Sequence, residues 1–367
     1  MSSDVVRVIV VATALAFDFT NGFHDTANAI ATSVSTRAMS PRFAVLLSAV
    51  LNFAGAFISL KVAATVAQGI VESDDVTTTV VFAGLIGAIA WNLATWYFGL
   101  PSSSSHALIG GLVGAAFAAS GASAIQADGL VEKVIVPGIV APILAFTVAG
   151  TAILIAYRIV GRLRPGPVNR AYRLGQLVSG SMFSLAHGTN DAQKTMGIIT
   201  LALVAHGNLP ATGFDVPTWV IVSSATAIAL GTYTGGWRII RTVGSRIIKM
   251  DPAQGFSAQG SGAAVVLAAS HLGYPLSTTH VMSGGVMGAG AATRLSAVRW
   301  GVAGNIAIAW VLTLPAAALI GALAYAVSSI FGSGALGPVV VSLSILGVVL
   351  AFFGRRMARG QVLTADA

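Results

Sequence analysis

The amino-acid sequence predicts an all-α integral membrane protein built from two inverted-topology repeats, with discontinuous helices and re-entrant hairpins. The 367 residues are 55% hydrophobic and only 9% charged, whereas a soluble domain carries roughly 25% charged residues. Long apolar runs follow one another along the chain. Because a helical crossing needs about 20 residues, they correspond to about 10 to 12 membrane segments. Two polar motifs also occur twice in the same order, which indicates an internal duplication.

The apolar runs place the expected membrane segments. Three of them contain polar motifs, and we expect their helices to be interrupted: 5–36, 174–205 and 261–292. The other runs are 43–66, 79–100, 102–121, 134–157, 218–237, 300–325 and 337–354.

The first repeated motif, here called the Asp motif, is Asn21-Gly22-Phe23-His24-Asp25-Thr26-Ala27-Asn28. Its second copy is His187-Gly188-Thr189-Asn190-Asp191-Ala192-Gln193-Lys194, which is 166 residues later when Asp25 is matched with Asp191. The second repeated motif, the Ser/Thr motif, is Pro101-Ser102-Ser103-Ser104-Ser105-His106. Its copy is Pro275-Leu276-Ser277-Thr278-Thr279-His280, 174 residues later when His106 is matched with His280. Two motifs that recur in order at nearly constant spacing indicate duplication rather than chance.

Loop charges indicate that the two copies face opposite sides of the membrane. Arginine-rich loops are retained in the cytoplasm. The first Asp motif is followed by Arg37 and Arg42, whereas the second is followed by a loop that contains Asp215. Matched segments of opposite orientation are typical of secondary transporters. We therefore expect a first repeat at 1–160, a basic cytoplasmic connector at 161–173, a second, inverted repeat at 174–330 and an extra C-terminal helix at 337–354.

Run 261–292 is too short to cross the membrane twice, although basic loops flank it on both sides. Two crossings need about 40 residues. We therefore expect a re-entrant hairpin with its tip at 274–279, and by symmetry a matching tip at 101–105. Such a break is tolerated within a membrane only where it is buried in protein or lines a cavity.

The Ser/Thr motifs predict an anion site. Proline ends the preceding helix, and serine or threonine favours the N-cap of the next one. Helix N-termini bind anions through their free N–H groups. The expected anion-binding residues are Ser104, Ser105, Thr278 and Thr279. The alternative is that these small residues only pack helices together.

The Asp motifs predict a cation or proton site within the membrane. Each places a carboxylate in an apolar run, which costs roughly 2.5–3.5 kcal/mol unless a partner is present. Lys194 either contacts the anion or neutralises Asp191, and both alternatives stay open. Asp18 is a weaker candidate, because Ser184 stands at the matching position. The candidate cation or proton ligands are Asp25, Asn28, Asn190, Asp191 and His24, with Asp25 and Asp191 as Na⁺ ligands if the ion is sodium.

Both pairs of motifs resemble the signatures of the inorganic phosphate transporter (Pit) family, and the resemblance covers nearly the whole chain. It implies cation-coupled uptake of phosphate between two inverted repeats, in a multi-pass protein of the plasma membrane and commonly in a homodimer. His24 and the short connector resemble prokaryotic members; His24 favours H⁺ over Na⁺, although both stay open. Phosphate can enter free or as a metal–phosphate complex. No cofactor beyond the coupling ion is expected, and membrane lipids are the other expected partners.

Other functions fit the sequence less well. A sulfate-type oxyanion transporter would use the same donors, but a carboxylate acceptor favours phosphate because phosphate carries a proton near neutral pH. A passive channel fits the hairpins but not the paired carboxylates. A membrane lipid phosphatase would need a lysine at suitable spacing before Arg164-Pro165, and the sequence has none there, so we expect no enzyme. The net charge of +8 lies in short loops and does not indicate nucleic-acid binding, and the absence of cysteine excludes thiolate chemistry.

Overall fold

The computed structural model describes residues 3–72, 76–210, 214–332, 334–345 and 347. These residues form helices, and within them the only β-type pairing is an isolated bridge between Val71 and Ile125. Five-residue π-helical turns follow α6, at Val131–Ile135, and α10, at Thr242–Arg246. The helices are α1 Ser3–Ser35, α2 Pro41–Gly55, α3 Lys61–Gln68, α4 Thr78–Phe98, α5 Ser104–Ser120, α6 Ala127–Leu130, α7 Val136–Val160, α8 Pro165–Ala205, α9 Thr218–Thr234, α10 Trp237–Arg241, α11 Pro252–His271, α12 Thr278–Ala291, α13 Trp300–Ser329 and α14 Leu336–Ile345.

Four helical segments of the described chain are long and apolar enough to cross a membrane. They are Asp4–Ser35, Thr78–Phe98, Ala127–Val160 and Trp300–Ser329. Many large apolar side chains on α7 and α13, such as Ile143 and Val311, are exposed, as is typical of a surface that faces lipid. The predicted all-α membrane fold is therefore confirmed. Part of the expected last helix, 337–354, lies outside the described residues.

The two helices that carry the Asp motifs are continuous, so the expected interruption of runs 5–36 and 174–205 was wrong. Each motif's polar face is buried against the other helix and the hairpins, so its side chains find partners without a break in the helix. The breaks fall elsewhere. Run 43–66 divides into α2 and α3, and run 218–237 divides into α9 and α10.

Helices α1 and α8 cross in antiparallel directions. Midway along α1, Asp18 faces Thr195; further along, Asn21 Nδ2 lies 3.5 Å from Asp191 Oδ2. At its end, the Thr36 hydroxyl donates to Gln176 Oε1 at 2.9 Å. Residue numbers therefore rise along α1 while they fall along α8, which supports the inverted arrangement of the two motif copies.

Two helical hairpins are present at the expected places. Helices α4 and α5 are joined by a turn that begins at Gly99, and α11 and α12 by a turn with Gly273; both glycines have positive φ, +66° and +80°. The N-caps of α5 and α12 are Ser103 and Ser277, whose hydroxyls accept the N–H groups three residues on, at 3.0 and 3.2 Å. The prediction that hydroxyl residues open a new helix at each tip is confirmed.

Matched glycines allow equivalent helices of the two halves to approach closely. A Cβ on Gly110 of α5 would collide with the carbonyl of Leu314 on α13, and a Cβ on Gly284 of α12 would collide with the carbonyl of Pro142 on α7. The two glycines are separated by the spacing of the Ser/Thr motif. Each hairpin therefore packs against the long helix of the other half, which brings the two tips together at the centre.

Candidate transport site

The site begins with one face of α1 and one face of α8. Polar residues recur at helical spacing, so each set shares one face of its helix. On α1 the set is Asp18, Asn21, Asp25 and Asn28, and on α8 it is Ser184, His187, Asp191 and Lys194. All eight are buried, because the two faces pack against each other and against the hairpin tips.

Asp25 lies between the tips of both hairpins. Its carboxylate accepts the Ser104 hydroxyl of α5 at 2.5 Å and the Thr279 hydroxyl of α12 at 3.2 Å. The His24 ring lies on its other side, with Nδ1 2.7 Å from Asp25 Oδ1 and Nε2 3.2 Å from Thr95 Oγ1. One carboxylate therefore joins the two halves of the protein through hydroxyl groups.

Asn28 extends the same contact by one turn of α1. Its amide donates to Thr279 Oγ1 at 2.8 Å and lies 3.4 Å from Thr278 Oγ1. Its own Oδ1 atom has no hydrogen-bond partner. Asn28 therefore holds the start of α12 against α1 and keeps one oxygen available.

Asp191 is the matching carboxylate on α8. Lys194 Nζ lies 2.5 Å from its Oδ1, and His187 Nε2 lies 3.2 Å from its Oδ2. The His187 ring is oriented by Asn52, whose Oδ1 lies 3.2 Å from Nδ1. The Asp191 carboxylate therefore contacts one ammonium group, that of Lys194, and one imidazole ring, that of His187.

Lys194 links this carboxylate to both hairpin tips. Besides Asp191, it donates to the Ser105 hydroxyl at 2.5 Å and to the Leu276 carbonyl at 2.8 Å. Ser105 in turn donates to the Leu276 carbonyl at 3.0 Å. The position of Lys194 is compatible with both predicted roles. Its ammonium group neutralises Asp191, and it also lies at the hairpin tips where an anion would bind.

Asp25, His187 and Asp191 form a group able to hold a cation. Each offers one ligand atom, and the three atoms lie within 4.8 Å of one another. Oxygen atoms suit a hard cation, and a carboxylate with an imidazole neighbour suits a proton. The residues present therefore fit the expected coupling ion in either form.

The two helix starts offer hydrogen-bond donors of the kind that an anion site would need. The first N–H groups of a helix have no partner within it, and at α5 and α12 these belong to residues 104–105 and 278–279. Three of the four hydroxyls here touch the carboxylates or Lys194: those of Ser104, Ser105 and Thr279. An anion at the tips would therefore meet amides, hydroxyls and an ammonium group.

The structure also differs from the prediction in detail. The amide group of Asn190 donates to Ser270 Oγ at 2.8 Å and to the Tyr274 carbonyl at 3.1 Å, so Asn190 anchors the second hairpin. His187 was not among the predicted cation ligands, but its ring lies in the group with Asp25 and Asp191. Its spacing of four residues before Asp191, on the same helix face, was the available signal.

Comparison with known proteins places the chain in a family. The model of the phosphate transporter family matches residues 21–165 and 163–321. The probable low-affinity inorganic phosphate transporter of Mycobacterium bovis is 54% identical over 325 residues, which cover 89% of this chain and 78% of that protein. The protein of the same name from Bacillus subtilis is 48% identical over 323 residues, which cover 88% of this chain and 96% of that protein.

A solved structure described as the sodium-dependent phosphate transporter has the same fold, with a TM-score of 0.80 and 25% sequence identity. The match covers 89% of this chain and 99% of that one. These relatives are transporters, which confirms the prediction that the chain is not an enzyme. The chain is a multi-pass membrane protein and belongs to the phosphate transporter family.

Proposed function

We propose that this chain is a cation-coupled symporter of inorganic phosphate. The observation that carries the proposal is the position of Asp25: the hydroxyls that an anion would use, those of Ser104 and Thr279, donate to the carboxylate that a cation would use. A cation that neutralises Asp25 releases these hydroxyls for the anion. Binding of one ligand then favours binding of the other, as symport requires.

Phosphate suits the site better than sulfate. Backbone amides, hydroxyls and Lys194 supply the donors, and together they would surround a tetrahedral oxyanion. Two buried carboxylates beside these donors accept hydrogen bonds from a protonated oxyanion, which phosphate is near neutral pH and sulfate is not. The phosphate-binding residues in this proposal are Ser104, Ser105, Thr278, Thr279 and Lys194, and the coupling residues are Asp25, Asn28, Asp191, His24 and His187.

Alternating access follows from the repeated architecture. Each hairpin packs against the long helix of the other half, and the tips meet at the Asp25–Asp191 pair. Movement of one hairpin relative to the α1–α8 crossing opens the site to one side, and the matched movement of the other opens it to the opposite side. Repeats at 1–160 and 174–330 in the plasma membrane are part of this proposal, and a homodimer remains a prediction.

The test is uptake of radiolabelled phosphate into proteoliposomes that contain the purified chain, under an imposed Na⁺ gradient or an imposed H⁺ gradient. Uptake that follows one gradient supports symport and identifies the coupling ion. Sodium dependence would match the description of the solved neighbour, and proton dependence would match the His24–Asp25 contact. Equal uptake with and without either gradient, or uptake of sulfate in place of phosphate, would overturn the proposal.

A further inference from the structure

The turn of the first hairpin is bound to α10 and to the π-helical turn that follows it. The Thr242 hydroxyl donates to the Gly99 carbonyl at 2.8 Å, and Arg238 Nη1 donates to the Tyr97 carbonyl. Arg238 Cζ also lies 5.4 Å from the centroid of the Trp96 ring and 5.0 Å from that of Tyr97. The last carbonyls of a helix have no partner within it, and a cation near them is favourable. Arg238 and Thr242 therefore hold the end of α4 and the start of the hairpin turn.

The second half of the protein has a matching contact. A Cβ on Gly99 would lie 3.4 Å from the Arg238 carbonyl oxygen, and a Cβ on Gly273, in the turn of the second hairpin, would lie 3.3 Å from the Lys61 carbonyl oxygen. Lys61 begins α3, and Arg238 is the second residue of α10. Lys61 is therefore the counterpart of Arg238: each basic residue lies where a helix resumes and meets the turn of a hairpin.

The two matching contacts differ in their hydrogen bonds. A threonine follows each basic residue by four positions, and its hydroxyl lies near the carbonyl of that residue: Thr242 at 3.4 Å from Arg238, and Thr65 at 3.3 Å from Lys61. Thr242 donates in addition to Gly99. Among the residues that the structure describes, neither Lys61 nor Thr65 donates a side-chain hydrogen bond to the second hairpin. The first hairpin is therefore held more firmly than the second.

The held turn is also connected to the candidate transport site. Thr95, in the last turn of α4, lies 3.2 Å from His24 Nε2 and accepts the Ser102 hydroxyl at 2.7 Å. The repeat spacing places Ala269 and Leu276 at the matching positions of the second hairpin, and neither has a hydroxyl. A change of charge at the central carboxylates therefore has a route through His24 to the first turn that the second turn lacks.

Loop charges indicate the side on which each contact lies. The chain that continues from Arg238 carries Arg241, Arg246 and Lys249, which indicates the cytoplasmic side. Lys61 belongs to the inverted copy, and α3 leads to Glu72 instead of a basic stretch. The hydrogen-bonded contact is therefore on the cytoplasmic side of the site, and its counterpart is on the opposite side.

We propose that Arg238 and Thr242 are positioning residues of the transport cycle, which hold the turn of the first hairpin against α10 and so close the cytoplasmic side of the site. Release of the turn opens that side. Lys61 and Thr65 have the matching place on the opposite side. This inference rests on alternating access as part of the proposed function, and it names the residues that determine which side is closed.

The test measures access to the turn from each side of the membrane. The chain has no cysteine, so Leu100→Cys, next to Gly99, introduces a single reporter. A membrane-impermeant maleimide is added to inside-out and to right-side-out membrane vesicles that contain the full-length chain. The variants in this background are Thr242→Val, which removes the hydroxyl at similar volume, and Thr242→Ser, which keeps it. The matched control is Thr65→Val, at the equivalent position of the other half.

We expect Thr242→Val to raise the labelling rate from the cytoplasmic side about tenfold, the ratio expected from the loss of one buried hydrogen bond. Labelling from the outer side should not change. Thr242→Ser and Thr65→Val should be labelled like the parent. If Thr242→Val fails to reach the membrane, Arg238→Gln decides, with Lys61→Gln as its control. Unchanged labelling from the cytoplasmic side, an equal rise from both sides, or an equal rise in the control would overturn the inference.

Phosphate uptake by the same vesicles separates this inference from the proposed function. Sided labelling as expected, in a parent protein that does not transport phosphate, would keep the positioning role and reject phosphate symport. Phosphate transport by the parent, with labelling that is unchanged in Thr242→Val, would keep symport and reject the positioning role.

Discussion

Lys194 Nζ lies 2.5 Å from Asp191 Oδ1 and also donates to Ser105 Oγ, so a single ammonium group joins the α8 carboxylate to the tip of the first hairpin. A buried ion pair of this kind stabilises little by itself, but removal of one partner leaves the other charge uncompensated. The pair therefore links the stability of the protein to the integrity of its candidate phosphate site.

Replacement Lys194→Met should lower the free energy of unfolding by about 3–5 kcal/mol, because Asp191 is left as an unpaired buried charge. The double variant Asp191→Asn/Lys194→Met should recover most of that stability while phosphate uptake stays absent. Thermal unfolding in detergent and proteoliposome uptake measure the two effects. Recovery of uptake in the double variant would show that Lys194 serves the structure and not the anion.

Replacement Asp25→Asn or Asp191→Asn should abolish gradient-driven phosphate uptake, because each removes a charge that the coupling cation neutralises. The loss should be at least about 100-fold, which corresponds to roughly 3 kcal/mol. The matched control is Asp128→Asn, at an exposed carboxylate on α6. Gradient-driven uptake at the wild-type rate in both variants would remove the carboxylates from the mechanism.

Hydroxyl removal at the tips should weaken phosphate binding without loss of fold. Ser104→Ala and Thr279→Val each remove one donor to a charged group, which is worth about 1.5–3 kcal/mol and so should raise the phosphate dissociation constant by at least tenfold. The control is Ser283→Ala on α12, where the hydroxyl is buried and has no hydrogen-bond partner. Phosphate titration by calorimetry measures the effect, and unchanged affinity in both tip variants would contradict the proposed anion site.

Replacement Gly110→Ala or Gly284→Ala should destabilise the protein by about 1–3 kcal/mol, because the added methyl group collides with a backbone carbonyl of the facing helix. Gly304→Ala on α13 is the control: a Cβ there meets nothing within 4 Å, so alanine should stabilise the helix slightly. Thermal unfolding in detergent compares the three variants. Equal melting temperatures for all of them would contradict the close packing of the hairpins.

The antiparallel crossing of α1 and α8 predicts which introduced cysteine pairs can be cross-linked by a short thiol reagent. The chain has no cysteine, so an introduced pair is free of background. The pair Thr36→Cys/Gln176→Cys should be joined by a short bifunctional thiol reagent, because the hydroxyl of Thr36 contacts the end of the Gln176 side chain. The pair Thr36→Cys/Thr195→Cys should not. Peptide mass spectrometry detects the cross-linked peptides of each pair. A cross-link in the second pair and none in the first would contradict the helix register.

Much of the architecture was predictable because low charge content, apolar run length and repeated motifs directly reflect the constraints of a bilayer. The hairpin tips followed from proline and serine chemistry, and Ser103 and Ser277 occupy the N-caps. The continuity of α1 and α8 was not predictable in the same way. Polar residues such as Asn21 and Asp25 suggested a break in the helix. They are buried instead against a partner helix that is distant in the sequence, since Asp25 and Asp191 are 166 residues apart.

Most residues of the candidate site were predictable from the sequence, but which of them contact one another was not. Asp25, Asp191 and the tip hydroxyls stood out because each had a repeat copy. The contacts of His187 and Asn190 could not be predicted in this way. The direction of a side chain around the helix decides whether it meets the carboxylates or the second hairpin. Asp18 has no repeat copy, so symmetry alone gave it little weight, and its isolation is visible only in three dimensions.

The most direct test of the account is the linkage between phosphate and cation at Asp25. Phosphate binding to the purified protein is titrated at several concentrations of the coupling ion, and cation binding is titrated with and without phosphate. If cation and phosphate are coupled through Asp25, each ligand raises the affinity of the other by the same factor, and Asp25→Asn removes this effect. Phosphate affinity that is independent of the cation in the wild type would contradict it.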